Sequence, residues 1–344
     1  MTVRTSIIYG ERIKQARELN SLTQSQLAEQ VQCNQSAIAH FENNRTLPSE
    51  EILRAIAETT GVLPSFFESE PTHGFSLGSL SYRSRRSLSK KEEAKAYQYA
   101  FIMYEQARRL SRKLDLPPLR LPHISEKPAL SARVTRASFG LVPDKPISRL
   151  VNTFEYNGGL SFVTPFSMFK IDAFSGWATL DVDRPIIIAS CNVPGDRMRF
   201  SIAHEIGHLV MHGAPKGTMA IMEKEANAFA AEFLMPEEAI RADLLTPITL
   251  TSVAQLKPKW GVSMQALIYR AHDLRIITDR QYRYLFEQLS ARGWRTREPS
   301  NLDIPIEAPQ AFSKMVQSVY QSIEEYAEDA GVRPAVVRDW LLYN

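Results

Sequence analysis

The fold of the second half of the chain is decided by the stretch Arg197-Met198-Arg199-Phe200-Ser201-Ile202-Ala203-His204-Glu205-Ile206-Gly207-His208-Leu209-Val210-Met211-His212. His204 and His208 are four residues apart, so on a helix they project from one face on adjacent turns. That separation lets two imidazoles bind one tetrahedral Zn²⁺. Glu205 points sideways from the pair, where it can reach water at the ion. The motif alone is moderately specific, and two structural histidines on a packed helix are the alternative.

A third ligand is expected on the next predicted helix, which runs from about Met222 to Leu234 and stops at Pro236. The inward stripe of this helix is formed by Ala226, Phe229, Ala230, Phe233 and Leu234. At about 100° per residue, Glu223 and Asn227 lie together at one border of that stripe. Glu225 and Glu232 lie on the opposite, outward side. Glu223 is therefore the best third ligand. Asn227 is placed to fix the tautomer of a liganding histidine. Glu225 is the fallback ligand, with a solvated surface charge as its alternative role.

This ligand set predicts hydrolytic chemistry. Two neutral imidazoles and one carboxylate leave a coordination position open for water, whose pKa a zinc ion lowers toward about 7. Glu205 is the expected general base. His212, one turn beyond His208, has two open roles: support of His208 or of the transition-state oxyanion, and a structural histidine at the helix end. Cys191 is a candidate inhibitory ligand, with a free buried thiol as the alternative.

The order and spacing of several motifs over roughly residues 150 to 290 resemble the ImmA/IrrE family of metallopeptidases. The motifs are Gly159 to Thr164, Phe174-Ser175-Gly176-Trp177-Ala178, Pro194 to Phe200, Ala203 to His208 and Glu223 to Pro236. The resemblance implies a gluzincin-like core, in which a small sheet packs on the zinc-bearing helix and the third ligand lies on the following helix. Carried over, the metal ligands are His204, His208 and Glu223, and Glu205 is the base. It also implies a substrate class, because members of this family act in bacterial and phage regulation by cleaving helix-turn-helix repressors.

The first 67 residues predict short helices joined by tight turns. Thr23 is a good N-cap for the segment from Gln24 to Val31, with Gln26 as its capping-box partner. A short turn then precedes a helix from Gln35 to Glu42, and Ser49 caps a further amphipathic helix. Two short helices joined by a tight turn are typical of a helix-turn-helix domain.

This pattern closely resembles the XRE/Cro-repressor family over about residues 9 to 67. Mapped onto that pattern, Gln35, Ser36 and His40 occupy base-contacting positions on the recognition helix. The residues suited to phosphate contacts are Gln24, Asn43 and Arg45. This domain differs from the family pattern in its charge, because the recognition helix carries no lysine or arginine before Arg45. Recognition of another helix-turn-helix protein instead of DNA is therefore the alternative.

The net charge of +3 conceals an asymmetry. Residues 1–70 carry six basic against nine acidic side chains, whereas residues 71–120 carry eleven against four. If the N-terminal part binds DNA, its counterion-releasing charge comes largely from the second segment. A solvated helix face plus linker is the alternative interpretation of that segment.

Composition predicts a soluble, multidomain protein. The 344 residues are long enough for two or three domains, and 23% of them are charged. No apolar run approaches the roughly 20 residues that cross a bilayer. The N-terminus lacks a signal peptide and two cysteines are too few for a disulfide scaffold, so we expect a cytoplasmic protein. No internal repeat is apparent.

We therefore expect a mostly α fold with a small β-sheet. An all-α helix-turn-helix domain (residues 1–70) is followed by a basic helical linker (71–120), an α+β, gluzincin-like metallopeptidase domain (121–297) and a helical C-terminal extension (298–344). The leading hypothesis is a zinc endopeptidase whose partners are operator DNA, a repressor protein or both. The alternatives are a transcription factor with a sensing or silent peptidase domain, and an antitoxin-like binding module. Self-association and the role of residues 298–344 stay open.

Overall fold

The computed structural model describes residues 7–72, 75–76, 89–124, 126–168, 171–180, 182–213 and 218–344. Over these residues the chain is mostly helical with one small sheet, which confirms the predicted fold class. None of the helices in the described part is long and apolar enough to span a membrane.

The N-terminal helices follow the predicted pattern. They are α1 (Gly10–Leu19), α2 (Gln24–Gln30), α3 (Gln35–Glu42), α4 (Glu50–Thr60) and α5 (Pro64–Glu68). Thr23 and Gln26 form the expected capping box at the start of α2. Asn34 and Ser49 each accept a backbone N–H at the start of α3 and α4. These caps satisfy backbone donors that would otherwise lack partners, which explains why such short helices begin where they do.

A short strand, β1 (Phe75–Ser76), precedes the long helix α6 (Lys90–Ser111). Most residues of α6 from Ala96 to Ser111 are buried. The N-terminal helices, the sheet and the C-terminal helices pack against this part of α6. The basic side chains of Lys90, Lys91 and Arg112 are exposed at the two ends of the helix, so both interpretations of this segment's charge stay open. Arg83, Arg85 and Arg86, which contribute to the basic balance, lie outside the described residues.

The sheet is completed by β2 (Leu160–Thr164), β3 (Ala173–Thr179) and β4 (Asp183–Ser190), which follow α7 (Pro128–Ser138) and α8 (Leu150–Tyr156). Its order is β1-β3-β4-β2, with β2 parallel to β4 and the other pairs antiparallel. The predicted half-burial of β2 and β3 is wrong, because both faces of the sheet are covered. Phe162 and Ile188 face one hydrophobic core, and Val163 and Ile187 face the other.

The remaining helices complete the two cores. They are α9 (Gly195–Met211), α10 (Met219–Leu234), α11 (Glu237–Asp243), α12 (Leu250–Trp260), α13 (Met264–Asp273), α14 (Asp279–Ala291), a 3-10 turn (Ser300–Leu302), α15 (Ala311–Val319), α16 (Ile323–Ala330) and α17 (Pro334–Tyr343). Helices α7 to α14 and one sheet face enclose one core. The other core joins α1 to α6, the opposite sheet face and α15 to α17.

A buried ion pair attaches the N-terminal helices to α6. Arg12 contacts both carboxylate oxygens of Glu105, at 2.5 and 2.9 Å, and both side chains are nearly inaccessible to solvent. The backbone N–H of Thr72 donates to the same carboxylate at 2.8 Å. Nearby, Gln98 donates to Glu18 at 2.7 Å.

Replacing Glu105 with alanine is expected to destabilise the protein by roughly 3–5 kcal/mol, because the buried Arg12 guanidinium loses its counter-charge. Glu50→Ala is the matched control, since Glu50 pairs with Arg54 on the exposed surface and such pairs contribute about 0–1 kcal/mol. Denaturant unfolding measures both. Equal losses for the two variants would contradict this account of the α6 contact.

The C-terminal helices meet α8 at a second buried acid. Glu155 accepts the backbone N–H groups of Gln310 and Ala311, at 3.0 and 3.1 Å, at the start of α15. Burial raises the pKa of Glu155 from 4.5 to about 7. The folded state therefore holds this proton more tightly than the unfolded state does. As a result, Glu155 lowers stability progressively as the pH rises from about 4.5 to 7.

Glu155→Gln is expected to remove this cost. The unfolding free energy of the variant relative to wild type should rise between pH 4.5 and 8, by up to about 3 kcal/mol. Glu238→Gln, at an exposed position on α11, is expected to give a flat difference over the same range. A flat difference for Glu155→Gln as well would show that this carboxylate does not titrate with folding.

Candidate metal centre

The two histidines of the motif lie side by side on α9. His204 Nε2 and His208 Nε2 are 3.0 Å apart, with ring centroids separated by 4.7 Å. Both side chains are mostly buried, at 5% and 12% exposure. The four-residue spacing thus turns both rings toward one point, as the sequence predicts.

Glu223, on α10, faces that same point. Its Oε1 lies 3.1 Å from His208 Nε2, and its Oε2 lies 3.4 Å from His204 Nε2. Among the described residues, His204, His208 and Glu223 are the group of potential ligands whose donor atoms all lie within 4.8 Å of one another.

These distances fit a zinc ion. With Zn–N and Zn–O bonds of about 2.0–2.1 Å, tetrahedral ligand atoms lie about 3.3 Å apart. The three separations, from 3.0 to 3.4 Å, bracket that value. Two imidazoles and one carboxylate are also a ligand set that zinc prefers when one position is left open.

The far nitrogen of His204 contacts a polar side chain of α10. Its Nδ1 lies 2.9 Å from Asn227 Oδ1. A carbonyl oxygen can only accept a hydrogen bond, so in this amide orientation Nδ1 carries the proton and the Nε2 lone pair faces Glu223. The structure thus brings Asn227 to the contact expected of it.

The far nitrogen of His208 begins a relay along the surface of α9. His208 Nδ1 lies 3.0 Å from His212 Nδ1, and His212 Nε2 lies 3.0 Å from Glu225 Oε2. Burial lowers the pKa of His212, which favours its neutral ring. A neutral His212 donates from Nε2 to Glu225, so its Nδ1 accepts a hydrogen bond from His208 Nδ1–H. The lone pair of His208 is then on Nε2, which faces Glu223.

Two of the acids on α10 differ from their sequence-based interpretation. Glu225 is partly exposed but contacts His212, so it is more than a solvated charge. Glu232 was predicted to face outward, and this is wrong because α7 and α13 cover that side of α10. Glu232 is buried and pairs with Arg133 and Arg270.

Glu205 is fully buried and is held by a residue that sequence reasoning missed. The hydroxyl of Ser175, on β3, donates to Glu205 Oε2 at 2.7 Å. Ser175 lies two residues from Ala173 and therefore on the sheet face toward α9. Strand alternation could have indicated that face, but only the fold shows which acid Ser175 meets.

The distance between α9 and α10 depends on Gly207. A Cβ atom at this position would lie 2.9 Å from the ring of Phe229 on α10. The absent side chain lets the two helices approach closely enough for Glu223 to reach the histidines.

Cys191 is not part of the cluster of potential ligands. Its Sγ atom contacts Asn192 Oδ1 at 3.4 Å, and burial raises the pKa of the thiol. Because the thiolate is the ligand form, this environment favours the free-thiol alternative.

The predicted DNA contacts share one surface. The side chains of Gln35, Ser36, His40, Asn43 and Arg45 are exposed on α3 and the turn that follows it. Gln24 is half-buried and accepts from Gln35 Nε2 at 2.7 Å, while its own amide donates to Glu42 at 2.8 Å. The structure therefore places Gln24 beneath the recognition helix, where it orients Gln35. Arg17 pairs with Glu42, so this buried acid adds no unpaired negative charge beneath the recognition helix.

Comparison with protein-family models gives two matches. Residues 10–66 match a helix-turn-helix domain, and residues 155–272 match an IrrE N-terminal-like domain of a metallopeptidase-type family. A comparison with curated proteins gave no significant match. The chain thus combines a helix-turn-helix domain of the XRE type with an ImmA/IrrE-like domain, the architecture that the sequence resemblance implies.

Replacing Glu223 with glutamine is expected to lower zinc stoichiometry from near one per chain to a clear deficit, because a neutral amide is a poor zinc ligand. Elemental analysis of the protein after gel filtration measures this. Glu238→Gln is the control and should keep wild-type zinc. Full zinc retention by Glu223→Gln would move the third ligand elsewhere.

Proposed function

We propose that this protein is a gene regulator with zinc-dependent endopeptidase activity. The observation that carries the proposal is the convergence of His204, His208 and Glu223 beside the buried carboxylate of Glu205. A purely structural metal site needs no further acid at this position. The HExxH-plus-Glu arrangement is instead suited to peptide hydrolysis.

His204, His208 and Glu223 would hold the ion. A zinc ion held by these three residues would supply Lewis-acid activation of a water molecule and of the scissile carbonyl. The two lone pairs are aimed by Asn227 and His212, so the binding residues need little reorganisation when the ion enters.

Glu205 is the proposed general base. Ser175 holds one of its oxygens and thereby fixes the plane of the carboxylate. Glu205 accepts the proton of the attacking water and then delivers it to the leaving amine. Burial of Glu205 keeps competing water away from this transfer.

The proposed substrate is a helix-turn-helix repressor or a similar regulatory protein. The helix-turn-helix domain of this chain brings the peptidase to operator DNA or to a DNA-bound partner. The exposed face of Gln35, Ser36 and His40 is the proposed recognition surface. This assignment comes from the two matched domains and from the family resemblance.

Glu205→Gln is expected to abolish cleavage while keeping zinc, with a loss of roughly 10²–10⁴-fold in rate. Wild type and variant are co-expressed with repressors encoded beside the gene, and mass spectrometry identifies fragments with new termini. Glu238→Gln should cleave like wild type.

Two outcomes would count against the peptidase. If a fragment forms equally with Glu205→Gln, a different protease produces it. If wild type binds zinc and DNA but produces no fragment from any neighbouring repressor, a regulator with a silent peptidase domain is supported instead. A pull-down with Glu205→Gln, which should retain uncleaved substrate, identifies the partner directly.

A further inference from the structure

The C-terminal helices contain a second copy of a motif from the helix-turn-helix domain. Ala57, Glu58, Gly61, Val62 and Pro64 reappear at the same spacing as Ala327, Glu328, Gly331, Val332 and Pro334. The prediction that the chain has no internal repeat is therefore wrong. The repeat was missed because it is short and its two copies lie at opposite ends of the chain.

The two copies fold alike. Gly61 caps the C-terminus of α4 and Gly331 caps that of α16, with φ values of 76° and 69° in the left-handed region that favours glycine. Pro64 then begins α5, and Pro334 begins α17. Equivalent positions are also buried alike, including Ile56 with Tyr326 and Phe67 with Val337.

The copies pair with each other about a local two-fold axis. Val62 and Val332 form an antiparallel bridge. Leu63 N donates to Gly331 O at 2.8 Å, and the equivalent Arg333 N donates to Gly61 O at 3.3 Å.

The residues beside the bridge are paired in the same way. A Cβ atom on Gly331 would lie 3.0 Å from the Cα of Phe66, and a Cβ atom on Gly61 would lie 3.6 Å from Cγ2 of Val336, the equivalent of Phe66. Exchange of equivalent partners across an axis is the defining property of an isologous interface, in which a surface contacts its own copy.

The copy reproduces only the second half of the helix-turn-helix domain. The helix before α16 is α15, whose side chains Phe312, Met315 and Val316 are buried. Its exposed residues Lys314, Gln317 and Ser318 lie out of register with α3: at the spacing of the repeat, α3 corresponds to residues 305–312, of which 305–310 are not helical. The pair formed by α4–α5 and α16–α17 is therefore accompanied by one recognition helix, whereas two paired helix-turn-helix domains would have two.

We propose that α16–α17 is an internal copy of α4–α5 that occupies, within the same chain, the surface by which this helix-turn-helix domain would otherwise pair with a second copy of itself. The contact is self-complementary, so α4–α5 of another molecule fits the same surface. Because its own C-terminus fills that surface, the chain stays monomeric there and presents a single recognition helix to one half-site. This inference does not depend on the peptidase activity.

The test compares two equivalent substitutions in the full chain. Val332→Glu and Val62→Glu each break the internal contact by burying a charge. Only Val332→Glu leaves α4–α5 intact, so it should form a dimer of twice the 39.0 kDa chain mass. Wild type, Val62→Glu and the double variant Val62→Glu/Val332→Glu should sediment as monomers. Val332→Thr is a milder version that should dimerise more weakly.

Three results would overturn the proposal. The first is a folded Val332→Glu chain that stays monomeric although hydrogen exchange shows that α16–α17 is released. The second is a dimer that persists in the double variant, and the third is a wild-type dimer that Val62→Glu disrupts. If Val332→Glu does not fold, Val332→Thr decides the matter by the same criteria.

A cross-link tests whether the contact forms within one chain. Opposed residues of this bridge lie about 4.5 Å apart at Cα, within disulfide range. Oxidised Val62→Cys/Val332→Cys, with Cys33 and Cys191 replaced by serine, should therefore run as a monomer with an internal disulfide. A covalent dimer would show that the C-terminus exchanges between two chains and would contradict the proposal.

Discussion

His204 Nε2 and His208 Nε2 lie 3.0 Å apart and face the carboxylate of Glu223. Asn227 accepts a hydrogen bond from His204 Nδ1, and His212, which contacts Glu225, accepts one from His208 Nδ1. The Nε2 lone pairs of both histidines are therefore directed at the same point. Lone pairs and a carboxylate repel one another unless a cation lies between them. Under the proposed function, a divalent ion bound between these three side chains offsets this repulsion and stabilises the domain.

The surrounding fold holds the cluster in place from several directions. Gly207 lets α10 approach α9, and Ser175 reaches Glu205 from the sheet. The sheet is itself buried on both faces, since the second core packs the helix-turn-helix domain, α6 and the C-terminal helices against it. The helix-turn-helix domain is thus anchored by a continuous core to the sheet face opposite the candidate metal centre.

The sequence predicted what local periodicity controls. Helical spacing aligned His204 with His208 and separated Glu223 and Asn227 from Glu225. Capping patterns located the short N-terminal helices. Contacts between distant segments could not be predicted this way, because they depend on tertiary packing. They include the Ser175–Glu205 hydrogen bond, the Arg270–Glu232 ion pair and the Val62–Val332 bridge. The buried role of α6 was hidden for the same reason, since its charged first turn resembles a solvated helix.

We propose that His204, His208 and Glu223, three side chains from two neighbouring helices, hold one zinc ion. Zinc-edge X-ray absorption of the purified chain tests this most directly. The account predicts two imidazole nitrogens and oxygen donors at about 2.0–2.1 Å, and no sulfur. A sulfur ligand near 2.3 Å, which would bring Cys191 to the ion, or a single imidazole in the coordination shell, would contradict it.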